Sequence, residues 1–174
     1  GFRAPGLYEL YSDYGNPTLE AESFDSWEVG VQQSLSDRAV VSATWFRREA
    51  DNEIRYNGCA SPSTDPLCLV NGVGRWGYYR NVQKTEAQGL ELVGQFQASQ
   101  HLSINANYTW TEARSASGAT DGLFLTRRPE HLANLSADYA WASGLSTGLS
   151  VRYVGDSFND EANATLMEAY SLVD

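Results

Sequence analysis

No run of the roughly 18 to 20 consecutive apolar residues that a membrane-crossing helix needs occurs in this 174-residue chain, although 42% of it is apolar. Positive charge is short as well. Twelve basic residues against 22 acidic ones give −10, so the phosphate neutralisation that drives nucleic-acid binding is missing and no nucleic-acid partner is expected. Histidine is limited to His101 and His131, the two candidate neutral bases or metal ligands. His101 falls in a short turn and His131 at a strand start, apart in register. Neither stands in a G-x-S-x-G or H-E-x-x-H context, so the sequence is read as that of a non-enzyme, with no cofactor. A secretory leader is not visible: GFRAPGLYEL has no basic start and no apolar core, and AYSLVD stops inside a strand pattern. The chain reads as an internal piece of a longer protein. Disorder is argued against by the apolar fraction and by charged residues amounting to only 20%.

Cysteine is nearly absent too, and the two present, Cys59 and Cys68, lie nine positions apart in a loop with Asn57-Gly58, Pro62 and Pro66. A disulfide there would staple the loop and place it outside the reducing cytosol; the alternative is two free thiols.

What the sequence does have is a period of two. In Leu102 to Thr111, Leu102, Ile104, Ala106, Tyr108 and Trp110 interleave with Ser103, Asn105, Asn107, Thr109 and Thr111. Side chains on a strand alternate faces, so this segment carries an apolar row on one face and small polar groups on the other. The pattern recurs. Trp27, Val29 and Val31 oppose Glu28, Gly30 and Gln32; Leu90, Leu92 and Phe96 oppose Gly89, Glu91 and Gln95; His131, Ala133, Leu135 and Tyr139 oppose Leu132, Asn134, Ser136 and Asp138; Leu149, Val151 and Tyr153 oppose Ser150 and Arg152. Ala39 to about Glu49 sets Val41, Ala43 and Trp45 against Ser42, Thr44 and Phe46, with Val40 and Phe46 blurring the phase. A final segment holds Tyr170 and Leu172. About seven strands result, running from Ser23, Ala39, Thr85, Leu102, Pro129, Leu149 and the last segment.

The connections are lopsided. Ser36-Asp37-Arg38, Ser99-Gln100-His101 and Ala142-Ser143-Gly144 are tight, whereas Ala50 to about Tyr79, Ser115 to Asp121 and Asp156 to Thr165 read as long or polar loops. Gly1 to Glu22, with Pro5, Pro17, Gly15-Asn16 and three tyrosines, reads as an ordered loop. A soluble sandwich gives no reason for the tight turns to share one end; an outer-membrane barrel does, and the mean hydropathy of −0.41 suits strands that are half apolar. Tyr139 and Trp141 then mark one rim, and Trp27, Tyr108, Trp110 and Tyr153 the other. The fold expected is all-β: an antiparallel up-and-down transmembrane β-barrel segment of about seven strands, part of a larger barrel.

Several segments point further. FRAPGLYELYSDYGNPTLEAESFDSWEVGV, TWFRREADNEIRY, YRNVQKTEAQGLELVGQF, RRPEHLANLSADY and VRYVG follow one another along the chain. They resemble the barrel of TonB-dependent outer-membrane receptors, with an F-R-x-P run, a G-N-P-x-L loop, an E-x-S-x-x-x-E-x-G strand and an N-x-x-K/E-x-x-G-x-E-L strand in that order. The cobalamin receptor branch and related siderophore receptors are the most similar. The resemblance implies a receptor in the bacterial outer membrane that binds a scarce, large nutrient, cobalamin or a ferric siderophore, and imports it with energy supplied through TonB. It implies outer-membrane lipid and lipopolysaccharide as surroundings. Residues 1–174 would be a partial domain of a barrel of about 22 strands, the size the resemblance implies, with the plug, the TonB-binding segment and the closing strand lying elsewhere in the receptor. The rival readings are a non-transport barrel, either an adhesin or a lipid-modifying enzyme, and a soluble β-sandwich binding module.

Candidate ligand contacts are Tyr56, Trp76, Tyr78, Tyr79 and Arg80 of the long loop, with Arg127 and Arg128, because aromatic faces and guanidinium forks suit a bulky ligand with anionic or aromatic groups. The bland alternative is a lipid-headgroup girdle and arginines paired with acidic loops. Glu28, Glu91, Asp138 and Arg152 would face the lumen and a plug. Asp156 to Glu161 is acidic but breaks calcium-loop spacing, since Phe158 occupies a ligand position and Glu161 the place of the glycine; a loop-bound divalent cation stays unassigned. Asn107, Asn134 and Asn163 match the glycosylation pattern by chance, two of them mid-strand.

Overall fold

A computed structural model describes residues 1–60, 63–70 and 72–174, apart from the side chain of Gln83; Pro62 of the cysteine loop lies outside the described residues. The long alternating segments become strands: β1 Phe2–Arg3, β2 Glu22–Ser36, β3 Ala39–Gly58, β6 Gly77–Gln97, β7 Leu102–Ser115, β8 His131–Ala140, β9 Ser146–Val154 and β12 Tyr170–Val173. These eight form one sheet in the order β1-β2-β3-β6-β7-β8-β9-β12, and two small hairpins stand apart from it, β4 Leu69–Val70 with β5 Val73–Gly74 and β10 Ser157–Phe158 with β11 Leu166–Met167. β1 pairs with β2, β7 with β8, β8 with β9 and β9 with β12 in antiparallel fashion, as an up-and-down meander requires. No helix among the described residues is long and apolar enough to cross a membrane.

The alternation survives intact in β7, β8 and β9. Ile104 pairs with Ala137 and Ala137 with Leu149; Tyr108 pairs with Ala133 and Ala133 with Tyr153. On the opposite face Asn107 pairs with Asn134 and Asn134 with Arg152, and Asn134 Nδ2 donates to Asn107 Oδ1 at 2.8 Å. Ten residues separate His131, the partner of Trp110, from Trp141. At about 3.3 Å per residue and a tilt of about 40°, this sets the two aromatic rims roughly 25 Å apart, the height of a bilayer's apolar band.

Two compact units are present. The first comprises Gly1–Asp25, Glu49–Thr85 and Ala116–Ala119; its core is Leu19, Ala50, Ile54, Cys68 and Tyr78. The second comprises Ser26–Arg48, Glu86–Ser115 and Thr120–Asp174, and its apolar rows have no core to enter. Trp27, Val29 and Val31 are 73%, 70% and 65% exposed, and Leu135 and Leu149 are half exposed. A soluble sandwich would bury such rows against a second sheet; among the described residues they form an exposed apolar face.

Several sequence expectations are corrected. β3 does not end near Glu49 and β6 does not begin near Thr85: the two continue to Gly58 and back to Gly77, so only residues 59–76 form the loop. The apparent breakers have other roles. Asp51-Asn52 lies inside β3, where Asn52 adopts φ 58° and its carbonyl accepts from Asn81 Nδ2 at 2.6 Å. Gly77 is a close-approach glycine: a Cβ there would run into the Tyr56 ring and the Asn57 carbonyl. Gly89 is another, covered by the Phe46 ring, so Phe46 belongs to the polar face and fills the space that Gly89 leaves. β7 extends past Thr111 to Ser115, β8 begins at His131 rather than Pro129, and the Asp156–Thr165 loop contains β10. The N-terminal ordered loop holds a short helix, α1 Leu7–Tyr11.

Candidate functional site

The first unit is built on polar residues that tie the N-terminal segment to β3 and β6. Arg3 donates to both oxygens of Glu22 at 2.7 and 2.9 Å and to both oxygens of Glu9 at 3.0 Å each. Each carboxylate also accepts a backbone N–H, Glu22 from Ile54 at 2.7 Å and Glu9 from Gly6 at 2.6 Å. Planar guanidinium and carboxylate groups suit this double fork. Arg3 holds the Glu9 carboxyl below its usual range, with the Gly6 N–H adding to the effect, and the two carboxylates raise the Arg3 pKa further.

Two asparagines do the rest. Asn16 is buried; its Nδ2 donates to the Tyr79 carbonyl at 3.0 Å and its Oδ1 accepts from the Thr18 amide and hydroxyl, which locks the Gly15-Asn16-Pro17 corner. Asn81 Nδ2 donates to the Glu20 and Asn52 carbonyls while its Oδ1 accepts from the Glu20 N–H, so one side chain stitches the segment to both strands. These interactions give the F-R-x-P, G-N-P-x-L and N-x-x-K sequences a structural role.

The loop of residues 59–76 is held similarly. Cys59 and Cys68 form a disulfide with Cα atoms 5.7 Å apart. Arg75 Nε donates to the Leu67 carbonyl at 2.6 Å and Nη1 to the Asp13 and Gly15 carbonyls at 3.3 and 2.9 Å, with the guanidinium 5.2 Å from the Tyr78 ring. Tyr78 is 5% exposed and donates its hydroxyl to Asp65 Oδ2 at 2.6 Å. That bond, then the Leu67 amide, with Arg80 and Arg75 nearby, keeps Asp65 below the ordinary carboxylate range; burial first, then Asp65, raises the Tyr78 pKa. Tyr78 is therefore a core residue of the loop unit.

Four tyrosines form an edge-to-face chain. Tyr8 meets Tyr79 at 6.2 Å between ring centroids, Tyr79 meets Tyr56 at 5.8 Å, and Tyr56 meets Tyr14 at 5.8 Å. Tyr8, Tyr11, Tyr56 and Trp76 expose much of their rings, Trp76 83% of its surface. Tyr8, Tyr11 and Tyr14 join this surface although the sequence offered them only as loop-ordering residues; the signal available was their spacing of three, which repeats once along the segment.

Arg127 and Arg128 belong to the other unit and are exposed; Arg127 donates to Asn159 Oδ1 at 3.0 and 3.2 Å. Glu28, Glu91, Asp138 and Arg152 are exposed in that unit; the register places Asp138 opposite Gly148 and Arg152 opposite Asn134, on the polar face. No cluster of three or more metal-ligating side chains occurs among the described residues. In the Asp156–Glu161 segment the Asp160 carboxylate instead accepts the amides of Ala162, Ala164 and Thr165, and these bonds, Ala164's first, lower its pKa. Asn163 is engaged with Phe124, donating to its carbonyl and accepting from its N–H. His131 Nδ1 lies 2.8 Å from the Tyr108 hydroxyl.

The family model described as TonB dependent receptor-like, beta-barrel matches residues 1–174. The chain belongs to the TonB-dependent receptor family. As a member of it, the chain is part of an all-β wall of the bacterial outer membrane. The ferrioxamine receptor of Yersinia enterocolitica is 34% identical over 95% of this chain and 21% of its own length. The vitamin B12 transporter of Photobacterium profundum is 31% identical over 100% of this chain and 26% of its own length. Among solved structures, the ferric enterobactin receptor of Pseudomonas aeruginosa superposes with a TM-score of 0.71 at 22% identity, over 99% of this chain and 28% of that one. The chain thus spans less than a third of each relative.

Proposed function

We propose that the intact receptor binds a scarce metal chelate, cobalamin or a ferric siderophore, at its outer face and imports it with energy supplied through TonB, breaking and making no bonds. The observation that supports this most is the division of labour in the loop unit: Arg3, Asn16, Asn81 and Arg75 are spent on holding the loops, while Tyr8, Tyr11, Tyr56 and Trp76 present ring surface outward. Rigidly mounted aromatic rings suit a large, partly apolar ligand. Tyr56, Trp76, Tyr79 and Arg80 are the ligand contacts of the loop unit in this reading, and Arg127 and Arg128 are separate anion-binding candidates of the second unit. Glu28, Glu91, Asp138 and Arg152 line the lumen and meet the plug through hydrogen bonds and ion pairs that permit movement. TonB engages a part of the receptor N-terminal to this chain, and lipopolysaccharide surrounds the apolar face.

Growth of a deletion strain on cyanocobalamin, ferrioxamine B, ferrichrome or ferric enterobactin as sole source of the nutrient tests the reading. Loss of growth on one chelate, restored by the intact gene only in cells with functional TonB, is the expected result. Unchanged growth and uptake on every chelate would contradict it.

A further inference from the structure

The connection from β7 to β8 and the connection from β9 to β12 leave the sheet at the same end, opposite the tight turn between β8 and β9. Within the second unit the two are clasped together. Asn163 Oδ1 accepts the Phe124 N–H at 2.7 Å and its Nδ2 donates to the Phe124 carbonyl at 3.0 Å, so one side chain imitates a paired strand. The Phe124 and Phe158 rings stack with centroids 6.0 Å apart. The Arg127 N–H donates to the Phe158 carbonyl at 2.8 Å, while its guanidinium holds Asn159 Oδ1. Two of the three non-glycine residues with left-handed backbone among the described residues lie in this clasp, Arg127 at φ 56° and Asn163 at φ 53°. Asparagine tolerates that region; arginine enters it at a cost and stays only where its surroundings over-determine it.

We infer that the clasp joins the two connections into one flap, a two-state element that opens and closes as a unit. The β10–β11 hairpin has two register pairs, Ser157 with Met167 and Phe158 with Leu166, and a two-stranded hairpin of that size is marginal on its own. The segment it grips is anchored instead. Arg114 donates to the Gly122 carbonyl at 2.7 Å and lies 3.8 Å from the Phe124 ring, and the Leu125 N–H donates to the Ala113 carbonyl at 2.9 Å, which attaches the flap to β7. Closed, the flap holds Arg127 and Asn163 left-handed; open, both relax and the hairpin loses the ring and the bonds that order it. Phe124, Phe158 and Asn163 are only half-buried, so this opening needs less than the opening of the β7–β9 ladder and is separate from it.

Hydrogen exchange of the intact receptor in lipid vesicles tests this with one variant in each connection, read in the other. Asn163→Gly keeps the left-handed backbone and removes both bonds to Phe124, whereas Phe124→Ala removes the ring stack and leaves the hairpin's own bonds in place. Asn163→Gly is expected to speed exchange about tenfold at the Arg127 amide, which bonds to Phe158 and not to Asn163. Phe124→Ala is expected to speed it by a similar factor at the Asn159 and Thr165 amides, which bond within the hairpin to Thr165 and Asp160, because coupling between two sites is reciprocal. Amides of residues 102–109 keep their wild-type rates. Acceleration confined to the substituted connection overturns the inference. So does acceleration that spreads through β7, β8 and β9, which would make the clasp part of the wall.

Discussion

Arg3 shows how one side chain can order a loop. Its four donated bonds meet two carboxylates that are themselves anchored to the backbone at Gly6 and Ile54. Arg3→Ala leaves Glu9 and Glu22 facing each other without a cation, and the local cost is about 1–2 kcal/mol, moderated because Arg3 is half exposed. Arg3→Lys recovers only part of this, since an ammonium cannot bridge two forks. Hydrogen exchange at the Ile54 amide and across residues 6–16 measures the loss. The same clamp gives a pH dependence. The Glu9 pKa is lowered in the folded protein, so its contribution is complete above the ordinary carboxylate range and is lost as pH falls through that range into the lowered one. Protection of residues 6–16 therefore holds at neutral pH and fades on acidification, and in Arg3→Ala the fading is shallower. The sequence marked Arg3, Asn16 and Asn81 as motif positions but not their partners, because those partners lie between 2 and 63 positions away and are set by tertiary pairing.

At the level of the strands, legibility depended on whether a segment had one environment or two. β7, β8 and β9 have a simple apolar row and a simple polar row, and the pattern could be read directly. β3 and β6 run on from a wall-like portion into the loop unit, where both faces meet protein, so the alternation fades and Asn52, Gly58 and Gly77 mimic a loop. Phe46 looked out of phase for a related reason: its ring is accommodated on the polar face only because Gly89 opposite has no side chain. The wall strands also give a sharp energetic test. Ile104→Arg places a guanidinium on the apolar face and costs about 2–4 kcal/mol, while Asn105→Arg on the polar face is mild. Denaturant titration of the receptor refolded into vesicles reads both, and equal costs would mean that the two faces meet the same medium.

For the whole molecule, the account depends on which medium the apolar rows touch. The aromatic rims set their height at a bilayer's width, the second unit has no partner for Trp27, Val29, Val31, Leu135 and Leu149, and the family is one of outer-membrane barrels. Part of the −10 charge lies in the first unit, which holds nine acidic and five basic side chains. Nitroxide labels placed one at a time at positions 102 to 111 of the intact receptor in lipid vesicles test the arrangement directly, and Cys59 and Cys68 of this chain, joined to each other, do not react with the label. Collision with oxygen dissolved in the lipid should peak at 102, 104, 106, 108 and 110 and fall at the positions between them. A flat profile, or maxima at the odd positions, would contradict a membrane wall with its apolar row facing lipid.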